Sequence, residues 1–289
     1  MKILNIIYVP FQGVGLFDDP EDEEWLAHRI DIFKRYTLQS ILNQSQMPNI
    51  LWLSFYNCRS PLVKSLQPYL NSCPIRGIIT QGGLIYKDDK FIFRLKGNER
   101  YQSTVAQAYR MFGRAIKRRR PRLFLQYLDR LLFKNYSLTE RLKSLFKVDE
   151  DVVLTRLDSD DCLHKDWFKN MPKLTEGESA ICKAGYLHNV ITGELANWLP
   201  KTCPQTFAVF IPRDTFNDPK KFHDHWQGYQ SHEDADRVFK PIIHPNKFLM
   251  TIHGNQISST WDHPFRGEII IEDTDGGSKD KTILKDFGL

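Results

Sequence analysis

The chain has 289 residues, of which 41% are hydrophobic and 26% charged, a balance that suits a folded globular protein with a sizeable core and excludes wholesale disorder. Its five cysteines, Cys58, Cys73, Cys162, Cys182 and Cys203, are odd in number and form no CxxC pair, which argues against a disulfide framework or a zinc module and fits a reducing, cytoplasmic compartment. The net charge of +5 is unevenly held: Arg110 to Lys147 carries twelve Lys/Arg against two Asp/Glu, while the rest of the chain carries 28 basic and 33 acidic residues.

Lys2–Val9 reads as a buried first strand; it is too short for a signal segment, is interrupted by Asn5 and runs into Pro10 without a small-residue cleavage site. No apolar run approaches the roughly 20 residues that cross a bilayer. Gln12–Glu24 is a polar, acidic loop. From Trp25 to Asn43, Leu26, Ile30, Phe33, Thr37 and Ile41 recur at helical spacing. Asn49–Tyr56 is a strand, closed by Asn57 and the Ser60-Pro61 turn signal. Strand, helix and strand in close order imply a βαβ unit, a parallel sheet and an α/β fold.

Ile75–Thr80 is a further strand, and Leu84–Tyr86 with Phe91–Leu95 flank Lys87-Asp88-Asp89-Lys90 as a hairpin. Glu99–Phe112 is expected to be helical and leads into the basic segment, broken at Pro121. Asp151–Leu157 is a strong strand that runs into Asp158-Ser159-Asp160-Asp161. Beyond it, Ser179–Asn189 and Leu195–Leu199 flank the Thr192-Gly193 turn, Thr206–Ile211 is a strand, Ser231–Phe239 a helix and Lys247–His253 a last strand. Residues 1–272 read as one domain with a basic helical insertion at about 113–147, and 273–289 as a polar, mobile C-terminal tail.

The acidic cluster carries the chemistry. Asp158, Asp160 and Asp161 stand at the end of an apolar strand, and ligands of α/β sheets bind outside the carboxyl ends of strands. Crowded carboxylates raise one another's pKa unless a cation relieves them, and hard oxygen ligands select Mn²⁺ or Mg²⁺ over Zn²⁺. Such an ion neutralises the charge that develops on a departing diphosphate when a nucleotide-sugar donor is cleaved. The Asp-x-Asp spacing lets one carboxylate reach the metal and the other the ribose or a metal-bound water. The competing reading is a solvated acidic turn, with Asp161 capping a helix that starts near His164.

Thr155-Arg156-Leu157-Asp158-Ser159-Asp160-Asp161-Cys162-Leu163-His164, followed by Asp166-Trp167-Phe168, resembles the central motif of a rhamnosyltransferase family with a GT-A-type glycosyltransferase fold. Arg29, Phe33, Thr37, Ser40, Gln44 and the strand holding Trp52 are similar to the family's N-terminal stretch, and His253-Gly254-Asn255 to its late His segment. The resemblance covers most of residues 1–272. The basic stretch at about 113–147 is an expansion relative to the family, and Cys162 stands where a small residue is usual. The resemblance implies a GT-A-type, Rossmann-like mixed sheet flanked by helices. It also implies sugar transfer from a nucleotide-diphosphate donor to a hydroxyl acceptor, with Asp158, Asp160 and His253 at the metal. By likeness to inverting GT-A enzymes, Glu233 or Asp234 deprotonates the acceptor, although Ser231 with Asp234 is also close to a capping box.

Several residues complete the expected site. Arg29, Arg156, Asp158 and Asp161 are candidates for the donor. Arg156 lies inside an apolar strand, where an unpaired charge is costly. The alternating imidazoles of His223-Asp224-His225-Trp226 lack a third ligand at a recognisable spacing, which leaves a loop near the acceptor. Trp226 and Trp261 are candidate sugar-stacking platforms. The basic segment reads either as a solvated helix packed by its apolar side onto the domain or as a peripheral contact with an anionic membrane at its inner face, where lipid-linked glycan acceptors reside, in preference to nucleic acid. The rival functions are a metal-dependent phosphohydrolase and a non-catalytic carbohydrate- or membrane-binding protein of the same fold.

Overall fold

The first strand sets the layering of the molecule, because its alternate side chains enter two different cores. In the computed structural model, which describes residues 2–11, 23–55, 60–81, 93–94, 101–102, 147–200, 206–226, 235–254, 267–270 and 281–289, this strand is β1 (Ile3–Pro10). Ile7 and Val9 point to one core, Ile6 and Tyr8 to the other. The basic insertion up to residue 146, the acidic loop to residue 22, Glu233, Asp234 and Trp261 lie outside the described residues.

The remaining strands are β2 (Ile50–Phe55), β3 (Arg76–Gln81), β4 (Phe93–Arg94), β5 (Tyr101–Gln102), β6 (Asp151–Arg156), β7 (Asp161–Leu163), β8 (Glu178–Ile181), β9 (Gly185–Asn189), β10 (Leu195–Pro200), β11 (Phe207–Ile211), β12 (Lys240–Ile243), β13 (Phe248–Ile252) and β14 (Gly267–Ile270). Seven of them form the main sheet in the order β12-β8-β11-β6-β1-β2-β3. β6, β1, β2 and β3 are mutually parallel. β11 runs against both of its neighbours, β6 and β8, and β12 returns parallel to β8. The fold is therefore mixed α/β, as the alternation of strands and helices predicts. A parallel sheet covered on both faces needs apolar residues at every position, and the wholly buried Ile-Leu-Trp-Leu-Ser-Phe of β2 meets that need.

Helices supply the two covers. α1 (Glu23–Ile32) passes through a π-helical turn, Phe33–Thr37, into α2 (Leu38–Leu42). Trp25, Leu26, Ile30, Phe33, Leu38 and Ile41 pack on the face of Ile7, Val9, Leu51 and Leu53. α3 (Pro61–Asn71) joins this cover through Val63, Leu66 and Leu70. Its Pro61 stands at the first helical position, where the missing N–H costs nothing. On the opposite face, α4 (Arg213–Asn217), α5 (Pro219–His225) and α6 (Ala235–Val238) frame a core with Phe216, Phe222, Trp226, Ala235 and Phe239 against Trp52, Val152 and Leu154. Among the described residues, no helix is long and apolar enough to cross a membrane.

A second, five-stranded sheet has the order β14-β10-β9-β13-β7. The expected single strand over Ser179–Asn189 is two: β8 belongs to the main sheet and β9 to this one, with Cys182–Ala184 carrying the chain between them. Lys247–His253 is not the last strand, since β14 follows it. Tyr101–Gln102, expected at the start of a helix, pairs with Phe93–Arg94 instead, and the rest of the expected hairpin and helix lies outside the described residues. The C-terminal segment is also corrected. Residues 281–287 form a 3-10 helix, and Phe287 is buried against Cys162, Leu195 and Leu249. Lys165 Nζ meets Asp286 Oδ1 at 2.7 Å. The end of the chain thus docks behind the strand that follows the acidic cluster.

Candidate functional site

The Leu157 amide still donates to the Tyr8 carbonyl at 3.0 Å, so the chain leaves the main sheet at the carboxyl ends of β1 and β6. The strand order reverses here: β2 and β3 lie to one side of β1, β6 to the other. A crevice outside the carboxyl ends at such a switch point is the usual ligand position of open α/β sheets. The chain then turns sharply, the Asp161 amide donating to the Asp158 carbonyl at 3.2 Å, and enters β7. No helix starts near His164, and Asp161 lies within β7, which removes the helix-cap reading.

The second sheet brings remote residues to this turn. β7 pairs antiparallel with β13, Asp161 opposite Met250. One step along, Thr251 Oγ1 donates to the Asp160 carbonyl at 2.6 Å. His253 follows at the end of β13, and Gly254 reverses the backbone with φ 80°, a conformation L side chains rarely adopt. His253 Nε2 lies 3.2 Å from Asp160 Oδ2.

From the other side, α1 delivers Arg29, whose Nη1 is ion-paired with the same Oδ2 of Asp160. Arg29 is 5% exposed and lies 5.2 Å over the ring of Trp25. Arg156 Nη2 donates to Asp158 Oδ1 at 2.6 Å, which answers the question of what compensates a charge inside β6. α2 anchors the strand behind the turn. Ser40 Oγ accepts from the Leu163 amide at 3.1 Å, and Gln44 Nε2 donates to the His164 carbonyl at 2.9 Å.

The three carboxylates are electrically unequal. Burial pushes Asp160 upward, but Arg29 and the hydrogen bond with His253 outweigh it and hold the carboxyl well below the usual carboxylate range. Asp161 is raised well above that range, first by burial and then by the charges of Asp160 and Asp158, with Arg156 and Arg29 only partly opposing. The shift favours the neutral form of Asp161, so the two guanidinium groups are matched chiefly against Asp160 and Asp158.

His28 belongs to the site and was not singled out by the sequence. Its Nε2 lies 3.1 Å from His253 Nδ1. Burial and the neighbouring His253 lower its pKa. No spacing rule marks it; only the end of β13, more than two hundred residues away, gives it a partner. Thr251 was missed for the same reason.

Trp226 requires a correction. It is 0% exposed and packs edge-on against Phe222 and Phe239, so its ring fills the core beneath α5 and leaves no face for a sugar. His225 beside it is pushed down to about 4 by burial, as befits a neutral core imidazole. Of the expected site, Arg29, Arg156, Asp158, Asp160, Asp161 and His253 come together.

No protein-family model matches the chain, and no curated protein matches it. Among solved structures, it is similar to the inositol-1-phosphate CTP transferase from T. maritima at 10% sequence identity and a TM-score of 0.39, over 88% of this chain and 91% of that one. The protein is thus defined by its own architecture: a mixed α/β sheet with an acidic turn at its switch point, faced by two buried arginines and a histidine.

Proposed function

We propose that this chain is a metal-dependent glycosyltransferase of the GT-A type, transferring a sugar from a nucleotide-diphosphate donor to a hydroxyl acceptor with inversion. One observation carries the reading: Asp160, at the carboxyl end of the switch-point strand, shares a single oxygen with Arg29 and His253, residues that the fold gathers from opposite ends of the chain.

The donor set suits Mn²⁺ or Mg²⁺. Ligands on an octahedral ion with bonds of about 2.1 Å stand about 3 Å apart when adjacent, and Asp160 Oδ2 and His253 Nε2 are separated by 3.2 Å. Among the described residues, no three His, Cys, Asp or Glu side chains form a ready-made metal cage. That is in keeping with ions that are held by one or two protein groups and completed by substrate phosphates and water. Asp160 and His253 would hold the ion, with Asp158 beside them. When bound, it would supply electrostatic stabilisation of the diphosphate leaving group.

The chain's own groups have separate tasks in this reading. Arg156 fixes Asp158, which faces the donor ribose or a metal-bound water. Arg29 is the guanidinium for the diphosphate, a group whose planar fork matches phosphate oxygens. Asp161 stands behind them at the start of β7. Glu233 or Asp234 takes the proton of the acceptor hydroxyl, and Trp261 contacts the acceptor. The acceptor is a glycan or a lipid-linked glycan, and the basic segment at about 113–147 meets an anionic membrane surface at the cytoplasmic face. A rhamnosyl donor rests on the sequence resemblance alone.

Calorimetry of the full chain with a set of nucleoside diphosphates, with and without Mn²⁺, tests the proposal. The expected result is one nucleotide bound at least about tenfold more tightly with metal. Equal, metal-independent binding of all of them, or none, overturns it. Sedimentation with anionic vesicles without nucleotide binding would favour the non-catalytic membrane binder.

A further inference from the structure

Arg29 occupies a more consequential place than a donor contact requires. Its Nη1 is bonded to Asp160 Oδ2 and lies 3.5 Å from His253 Nε2, while those two atoms are 3.2 Å from each other. The three atoms make a small triangle. Any ion bound to both Asp160 Oδ2 and His253 Nε2 with bonds of about 2.1 Å lies within about 4 Å of Arg29 Nη1. A guanidinium and a divalent cation at that separation repel strongly in a water-poor site. The side chains are 6% exposed for Arg29 and 14% for Asp160, so solvent screens little of this repulsion.

We infer that Arg29 is the resident counterion of Asp160, that it and a divalent cation exclude one another there, and that the cation enters when an anionic ligand draws Arg29 away. The inference rests on the proposed metal site. It goes beyond that site by giving Arg29 an antagonistic role toward metal in the empty protein and a cooperative one when a phosphate-like anion is present. Three features support it. The Asp160 oxygen nearest His253 is the one Arg29 holds. Arg156 is ion-paired with Asp158, the neighbouring carboxylate of the turn. Arg29 also lies 5.2 Å over the indole of Trp25, one helical turn earlier, a cation–π contact that offers the guanidinium a second partner when it leaves the carboxylate. Charge follows the same logic: an ion arriving at Asp158 and Asp160, each already paired with a guanidinium, gains most when one guanidinium turns to a new anion.

The consequence is opposite in sign to that of an ordinary site residue, because removing Arg29 strengthens metal binding. The experiment is Mn²⁺ titration of the full chain followed by the EPR signal of free Mn²⁺, on wild type, Arg29→Gln, Arg29→Lys and His253→Ala, without any donor. Far-ultraviolet circular dichroism checks that each variant is folded. Arg29→Gln is expected to bind Mn²⁺ about tenfold or more tightly than wild type. Arg29→Lys, which keeps the charge, stays near wild type. In wild type, sulfate at constant ionic strength tightens Mn²⁺ binding by giving Arg29 an anion, and this effect disappears in Arg29→Gln. The sulfate arm uses the wild-type chain, so it decides the matter even where Arg29→Gln does not fold. Mn²⁺ binding in wild type that depends on His253, with Arg29→Gln no tighter or with no response to sulfate, overturns the inference and leaves the metal site standing. Absence of Mn²⁺ binding in wild type and Arg29→Gln alike overturns both.

Discussion

His28 Nε2 and His253 Nδ1 stand 3.1 Å apart, and the opposite nitrogen of His253 faces Asp160 at 3.2 Å. A carboxylate only accepts, so this contact requires a neutral His253 to carry its proton on Nε2, with His28 then donating to Nδ1. For His253 to offer the Nε2 lone pair to a cation, its proton must move to Nδ1, where His28 then accepts. His28 meets His253 through Nε2 in both states, so it serves them by exchanging its own tautomer, the Nε2 proton passing to Nδ1. On the proposed metal site, His28→Phe is expected to weaken Mn²⁺ binding by about 10–100-fold, the usual cost of losing a group that orients a metal-bound histidine. His28→Gln, whose amide both donates and accepts, is expected to restore part of it. Equal Mn²⁺ affinity of His28→Phe and wild type, measured by titration, would show that the contact has no role in orienting His253.

Asp160 has a structural duty alongside its chemical one. Truncating it to alanine leaves Arg29 charged, buried and without its main partner, and breaking a buried pair in this way typically costs about 3–5 kcal/mol. An Asp160→Ala variant that merely lost turnover is the natural expectation from the motif alone; the ion pair with Arg29 adds a loss of stability. The double variant Asp160→Ala/Arg29→Met is expected to be more stable than Asp160→Ala, because it removes the orphaned charge as well. Urea denaturation of the four members of this cycle measures the coupling. Additive effects of the two substitutions would mean that solvent, not the pair, carries these charges.

Much of this arrangement is written locally. The apolar run of β6 ending in aspartates places them at a sheet edge, and Arg29, Phe33, Thr37, Ser40 and Gln44 recur every three or four residues, one stripe of a helix. In the structure Arg29, Ser40 and Gln44 of that stripe meet the turn and the strand behind it. What failed to read were features decided by tertiary partners. α3 is hidden by Pro68 inside it, a residue that ordinarily ends a helix. The break at Cys182–Ala184 is hidden because apolar residues run on both sides of it while the two strands join different sheets. Trp226 looked available because a tryptophan's burial is settled by neighbours such as Phe239, not by its own loop.

Phe287 was a further misreading, since a single aromatic in a polar stretch resembles a loose segment. It is fully buried with Cys162 and Leu249, and its ring meets His164 edge-on at 5.8 Å. Cys162 neighbours Asp161, so the docked terminus packs directly behind the carboxylates. Phe287→Ala is expected to lower stability by about 3–5 kcal/mol, the usual cost of truncating a buried Phe. On the proposed metal site it should also weaken Mn²⁺ binding by loosening β7. Differential scanning calorimetry tests the first effect; an unchanged unfolding temperature would show that the terminus contributes no packing energy in solution.

Acid sensitivity follows from two histidines kept neutral by their surroundings. His244 lies flat on Trp167, ring centroids 3.8 Å apart, with Nε2 3.0 Å from the Trp167 carbonyl and Nδ1 accepting from the Asn246 amide at 3.1 Å. A ring that already accepts at one nitrogen has no room for a second proton. Burial pushes its pKa down to about 4, and burial does the same to His225 between Trp226 and Phe239. Both titrate near 6.5 when unfolded, so between about 6.5 and about 4 the unfolded chain binds protons that the folded chain does not, and stability must fall as pH falls. The contribution of each neutral ring is complete above 6.5 and is lost on the way down to about 4. At about 1.4 kcal/mol per pH unit for each group, the pair removes on the order of several kcal/mol across that window. His244→Phe, which keeps the stack on Trp167, is expected to flatten the fall, at the expense of some stability near pH 7 through the two lost hydrogen bonds. Urea midpoints measured from pH 7 to pH 4.5 for wild type and His244→Phe provide the comparison, and parallel curves would mean that other groups set the acid limit.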